Sequence, residues 1–208
     1  KQKRGNKMTY IFEKGTSGKH LILLHGTGGD EHSLLDIAHF LAPNSTLLSF
    51  RGTVQEDGMN RFFKRNGLNQ FDLDSLEKET DKLHEKIKEI SEKELIPLSD
   101  WLLVGYSNGA NIAAHLLLER ETELNKGLFF HPMSLGVHQS RSTLEDKTVW
   151  ISYGDNDPIV SPASFKELAD QFETRQANVT IQLTVTGHQL TMDEIKQARE
   201  WTDHLLTK

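Results

Sequence analysis

Four short, uninterrupted apolar runs constrain this chain more than any other feature: "HLILLH" (20–25), "WLLVGY" (101–106), "GLFFHP" (127–132) and "VWISYG" (149–154). A strand with water on one side alternates apolar and polar residues. Continuous runs of this length therefore predict strands buried on both faces, as in a parallel sheet. "TLLSF" (46–50) extends the set, whereas "VTIQLTV" (179–185) does alternate and reads as a half-exposed strand near an edge. Helical patterns separate them at 30–41, 72–94, 108–120, 161–173 and 191–206. Strand and helix in alternation predict an α/β fold, a mostly parallel central sheet with helices on both faces. In the 108–120 segment Ala110, Ile112, Ala113, Ala114, Leu116, Leu117 and Leu118 cover most of the circumference, which predicts a buried central helix.

No repeat, low-complexity tract or Pro/Gly-rich linker divides the 208 residues, so residues 8–208 are expected to form a single domain. The basic opening "KQKRGNK" (1–7) is expected to be a disordered or artificially added end, outside the fold. A formal net charge of −6 argues against a nucleic-acid partner, which would require a basic face. No apolar run approaches the roughly 20 residues that span a bilayer, and the opening lacks a secretory apolar segment. Neither membrane insertion nor export is expected, and a cytoplasmic location follows. With no cysteine, disulfides, thiolate catalysis and cysteine-held metals are excluded. Monomer and homodimer both stay open.

The stretch "LLVGYSNGAN" (102–111) sets Ser107 between two glycines where a buried strand meets a buried helix. Gly, Ser and Asn are common turn formers, so a turn is one reading. The other is a nucleophile, because "GYSNG" matches G-x-S-x-G, in which a sharp strand-to-helix turn holds the serine oxygen exposed at the carboxyl end of the sheet. A serine hydroxyl needs a base, and the base needs an acid to fix its tautomer. "YGDNDPIV" (153–160) follows one later strand and "VTGHQLT" (185–191) follows the last, supplying an acid and then His188. Serine, acid, histidine is the chain order of the α/β-hydrolase fold. Spacing alone does not choose between Asp155 and Asp157.

Acyl transfer also needs backbone N–H groups aimed at the oxyanion. "LHGTGGDEH" (24–32) leaves a buried strand through glycines and enters a helix expected to be capped by Asp30, which leaves the N–H of Thr27 free to face the site. The N–H of Asn108 would be the second donor. A dinucleotide site is disfavoured: Gly26 and Gly28 begin G-x-G-x-x-G, but Glu31 holds the third position and no acid ends "TLLSF". A phosphate loop lacks Gly-Lys-Ser/Thr, and no H-E-x-x-H supports a metal hydrolase.

Together, "LLLHGTGGDE", "GYSNGAN", "GDNDPIV" and "GHQLT" resemble the phospholipase/carboxylesterase family of α/β hydrolases, which includes acyl-protein thioesterases. The likeness spans residues 8–206 and is nearest to small bacterial carboxylesterases, some linked to hydroquinone or aromatic-compound resistance. The resemblance implies an α/β-hydrolase fold with no large lid and a small-molecule ester as substrate. It implies Ser107 as nucleophile, Asp157 rather than Asp155 as acid, His188 as base, and neither cofactor nor metal. It leaves acyl-thioesterase, lysophospholipase and dienelactone-type activities as alternatives, with a non-catalytic hydrolase-fold protein behind them. One departure is Asn108, where acyl-protein thioesterases commonly carry Gln.

The long connection 51–70 resembles the substrate loop of such enzymes in its Gly-Met pair. Met59, Phe62 and Phe63 are candidates for an acyl-pocket wall, with ordinary loop packing the competing reading. Arg51, Arg61, Lys64 and Arg65 make a basic patch in an acidic chain. Arg51, directly after the strand "TLLSF", is the expected inward group for an anionic substrate, with Arg61 second. The competing reading pairs these cations with Glu56 and Asp57 or leaves them solvated.

Overall fold

The computed structural model of the protein describes residues 8–207, so the expected appended end at 1–7 lies outside the described residues. In chain order the strands are β1 (Tyr10–Glu13), β2 (His20–Leu24), β3 (Thr46–Phe50), β4 (Val54–Glu56), β5 (Met59–Arg61), β6 (Trp101–Tyr106), β7 (Lys126–Phe130), β8 (Thr148–Gly154) and β9 (Asn178–Thr184). The helices are α1 (Leu35–Leu41), α2 (Leu73–Glu94), α3 (Asn108–Glu119), α4 (Pro162–Thr174) and α5 (Met192–Leu206). Seven strands form one sheet in the order β1-β3-β2-β6-β7-β8-β9. All neighbours are parallel except β1, which runs antiparallel to β3.

The uninterrupted apolar runs are explained by two cores, one on each face of this sheet. Ile22, Leu24, Leu103, Phe129 and Ile151 point toward α2, α3 and α4, packing with Leu83, Ile112 and Phe172. The alternate residues Leu21, Leu23, Leu102, Val104 and Leu128 meet α1 and α5 through Ala38, Leu41, Ile195 and Ala198. Side chains alternate across a strand, so a strand between two apolar layers must be apolar throughout. β9 lies at the sheet edge, as expected, but its alternation does not bury the apolar side chains: Ile181 and Leu183 are 41% and 66% exposed, while Gln182 and Thr184 are partly buried. Helix α3 is buried along most of its length.

The helix expected after β2 needs correction, and two further elements were not foreseen. The helix expected over 30–41 begins only at Leu35, without a side-chain cap. Residues 26–34 are spent on successive turns, and the Asp30 carboxylate accepts from the His32 N–H, closing a turn rather than capping a helix. The antiparallel strand β1 carries no long apolar run and was not foreseen. The 51–70 connection is not irregular throughout: β4 and β5 pair as a hairpin across Asp57 and Gly58, both at positive φ. Asp-Gly is the usual sequence of such a turn.

Among the described residues no helix is long and apolar enough to cross a membrane.

Candidate active site

The turn at Ser107 is a consequence of packing. Ser107 has φ 51° and ψ −110°, a conformation that costs energy for a residue with a Cβ and is held here from both sides. Its N–H donates to the Phe130 carbonyl at 2.9 Å, and its carbonyl accepts from Asn111 N–H at 2.9 Å. A Cβ on Gly109 would lie 2.1 Å from the Leu24 carbonyl oxygen, and one on Gly105 would lie 2.6 Å from Ala110 backbone atoms. Both glycines of G-x-S-x-G therefore let α3 start directly against β2 and β6.

Ser107 Oγ lies 2.7 Å from His188 Nε2, and His188 Nδ1 donates to Asp157 Oδ2 at 2.7 Å. The carboxylate fixes the proton on Nδ1 and leaves Nε2 to accept from the serine. The Tyr106 hydroxyl donates to the His188 carbonyl at 2.8 Å, tying the loop after β9 to the end of β6. Burial, with Asp157 and Glu194 nearby, pushes that phenol up to about 12, so it remains a donor. Asp157 Oδ1 accepts from the N–H groups of Ile159 and Val160. Burial raises the Asp157 carboxyl, but His188 and those two N–H groups outweigh it and hold the group below its ordinary value. Of the two acids that spacing left open, Asp157 reaches His188; the Asp155 N–H is bound to the Thr184 carbonyl in the turn.

Behind this chain lies a second, buried one. His131 Nδ1 donates to the same Asp157 Oδ2 at 3.1 Å, and His131 Nε2 donates to Glu194 Oε1 at 2.9 Å. Glu194 also accepts from the Ser152 hydroxyl. Carboxylates at both ring nitrogens favour the imidazolium. Burial pushes His131 down, yet Glu194 and then Asp157 overcome it, and the net shift is upward. His131, Asp157 and His188 bring nitrogen and oxygen atoms within 4.8 Å of one another, the spacing of a metal cluster, but each of those atoms is engaged in this hydrogen-bond chain.

Thr27 and Asn108 both line the cavity beside Ser107, and among the described residues neither backbone N–H donates a hydrogen bond. The turn carrying Thr27 is braced from outside the sheet. Gly28 N–H donates to the Asn60 carbonyl at 3.0 Å, and the Asn60 amide donates to the Gly29 carbonyl at 2.8 Å. Asn108 uses its side-chain oxygen to accept from Phe62 N–H at 2.8 Å, clamping the β4–β5 hairpin against the start of α3. His25 accepts from Gly52 N–H through Nε2 and donates to the Gly26 carbonyl through Nδ1. Its burial lowers its proton affinity, consistent with this neutral tautomer.

The cavity holds about 320 Å³, within the range of small-molecule sites, and its lining includes Met59, Arg61, Arg65, Phe71 and Met133. Met59 and Arg61 stand where the sequence suggested. Phe62 and Phe63, at 4% and 0% exposure, belong to the core beneath the loop, while Phe71 takes the wall position expected of them. Arg51 is not the inward group. Its guanidinium forms a two-pronged pair with Glu31 at 2.7 Å, outside the cavity lining. A larger hollow of about 660 Å³ beside α4 is lined mainly by polar and charged residues such as Glu119, Lys166 and Arg175, and contains no serine–histidine pair.

The profile of the phospholipase/carboxylesterase family matches residues 10–206. The chain belongs to this family. Bacillus subtilis (strain 168) MhqD, described as a hydrolase, is 40% identical over 194 residues, which is 93% of this chain and 97% of MhqD. The Bacillus cereus carboxylesterase is 41% identical and superposes with a TM-score of 0.91, covering 96% of this chain and 95% of that one. YahD, solved with malic acid, is 38% identical with a TM-score of 0.91, covering 95% of this chain and 99% of that one. A carboxylesterase from Mesorhizobium loti shares the fold at 26% identity, with a TM-score of 0.89 over 94% of both chains. The α/β-hydrolase fold and the carboxylesterase affiliation read from the four motifs are thus both upheld for this family member.

Sequence reasoning overlooked His131, Glu194 and Tyr106, and it named Arg65 only as a member of the basic patch. His131 and Tyr106 each end a buried strand run, so a polar group at the carboxyl end of a strand was the available signal. Glu194 left none, since an acid in the first turn of a helix is ordinary.

Proposed function

We propose that this family member is a serine carboxylesterase that hydrolyses small carboxylic esters through an acyl-enzyme. The observation that carries this reading is the unbroken chain Ser107 Oγ, His188, Asp157, with 2.7 Å at each link, opening into a cavity lined by Thr27 and Asn108, whose backbone N–H groups are unengaged among the described residues. His188 Nε2 takes the Ser107 proton as Oγ attacks the ester carbonyl, and Asp157 stabilises the resulting imidazolium. The N–H groups of Thr27 and Asn108 receive the oxyanion, where preorganised donors count most. The imidazolium protonates the departing alcohol. Water, deprotonated by His188, then attacks the acyl-serine and releases the acid. None of these steps calls on a metal or cofactor. Thioesters and lactones traverse the same intermediate.

Cavity size favours small substrates. YahD, 38% identical, was solved with malic acid, a small polar molecule, which supports a small, polar substrate for this chain. Labelling with a fluorophosphonate probe, together with turnover of a short-chain nitrophenyl ester, tests the proposal. Loss of both in Ser107→Ala is expected, and undiminished turnover in the folded variant would refute the nucleophile.

A further inference from the structure

The cavity lining contains two guanidinium groups, Arg61 and Arg65, and no aspartate or glutamate. One carboxylate outside it, Glu56, serves both: it lies 3.2 Å from Arg61 Nε and 2.9 Å from Arg65 Nε. Two cations sharing one anion leave one positive charge uncompensated at the wall. Arg61 is only 2% exposed, and its remaining donors are partly engaged. Nε donates to the Phe63 carbonyl at 3.1 Å and Nη1 to the Thr27 hydroxyl, while Nη2 is buried without a partner. Burial, reinforced by Arg65 and opposed by Glu56, pushes Arg61 down to about 10. A buried, incompletely paired guanidinium is costly for a protein to keep, and an incoming anion would relieve it. Arg65, 21% exposed, presents the accessible side of the same corner.

We propose that Arg61 and Arg65 form a carboxylate subsite, so that the preferred substrates are small esters carrying a free carboxylate close to the scissile carbonyl. This rests on the reading of Ser107 as nucleophile. Thr27 sets the spacing: in the proposed mechanism its N–H receives the reacting carbonyl, and its hydroxyl accepts from Arg61, so carbonyl and carboxylate are held about one residue's width apart. Half-esters of short dicarboxylic acids have that separation. A planar guanidinium pair recognises a carboxylate by parallel, charge-assisted hydrogen bonds that a neutral chain end cannot replace.

The test compares kcat/KM for monomethyl succinate and methyl butanoate, which have acyl chains of equal carbon count, by pH-stat titration. The wild type is expected to favour the succinate by about tenfold or more. Arg61→Gln should abolish that preference and Arg65→Gln should reduce it, chiefly through KM for the charged ester. If Arg61 merely holds Thr27 in place, both esters will fall together in Arg61→Gln with their ratio kept, and the subsite is refuted. Should Arg61→Gln fail to fold, the more exposed Arg65→Gln carries the same comparison, and an unchanged ratio there refutes the subsite. Calorimetric titration of succinate into Ser107→Ala separates this proposal from the catalytic one. Binding that disappears when Arg61→Gln or Arg65→Gln is added supports the subsite even if fluorophosphonate fails to label Ser107. Binding indifferent to both arginines overturns the subsite even if the esterase is active.

Discussion

Glu194→Gln tests the buried network behind the site. The Glu194 side chain is fully buried, receives His131 Nε2 at 2.9 Å, and accepts from the Ser152 hydroxyl. Glutamine keeps the shape and one acceptor oxygen but removes the charge and turns an NH2 toward a donor. Breaking a buried ion pair costs about 3–5 kcal/mol when the orphaned charge cannot escape. His131 can escape by releasing its proton, and it retains Asp157 at 3.1 Å. A loss at the lower end, about 3 kcal/mol, is therefore expected, which for a chain of this length lowers Tm by roughly 6–12 °C. The pH dependence has a definite sign. His131 is raised in the fold, so above the ordinary histidine value of about 6.5 the folded state keeps a proton that the unfolded state has released. Stability from His131 is thus complete below that value and declines as pH climbs through the raised one. Glu194→Gln removes the main cause of the rise and should flatten this decline. Thermal unfolding across pH 6 to 9 measures both effects. A Tm within about 2 °C of wild type, or an unchanged decline, would refute the buried imidazolium.

The remaining predictions concern the site itself. Ser107→Ala should reduce ester turnover by several orders of magnitude at near-native Tm, leaving only what binding and the oxyanion donors supply. Asp157→Asn should reduce kcat far more than Asp155→Asn, since only Asp157 fixes the His188 tautomer; the opposite ranking in steady-state kinetics would overturn the assignment. Gly109→Ala forces a methyl against the Leu24 carbonyl at 2.1 Å, backbone against which no rotamer change helps. A cost of about 1–3 kcal/mol or more in denaturant unfolding is expected, along with loss of fluorophosphonate labelling as the turn shifts. Arg51→Ala should leave the ratio of anionic to neutral ester turnover as it is in wild type, because that guanidinium is committed to Glu31 outside the cavity.

Local pattern was enough wherever one residue type had a single physical use. Uninterrupted apolar strands meant a sheet covered on both faces, and the glycines around Ser107 meant a turn too tight for a Cβ, which the contacts of Gly105 and Gly109 with neighbouring backbone bear out. The ordered motifs likewise placed Ser107, an acid and His188 after the carboxyl ends of β6, β8 and β9, and parallel strands bring those ends together. What sequence alone left open was every choice that depends on where a long side chain ends. Arg51 and Arg61 leave the chain ten residues apart, yet Glu31 neutralises one outside the cavity while the hairpin carries the other into its wall. Phe62 and Phe63 turned into the core because Asn108 pins the hairpin backbone from a position 46 residues away. His131 and Glu194 are 63 residues apart and meet only because β7 and α5 converge beneath Asp157. Periodicity reports which face an element buries; only the packed fold decides which charges lie within 3 Å of each other.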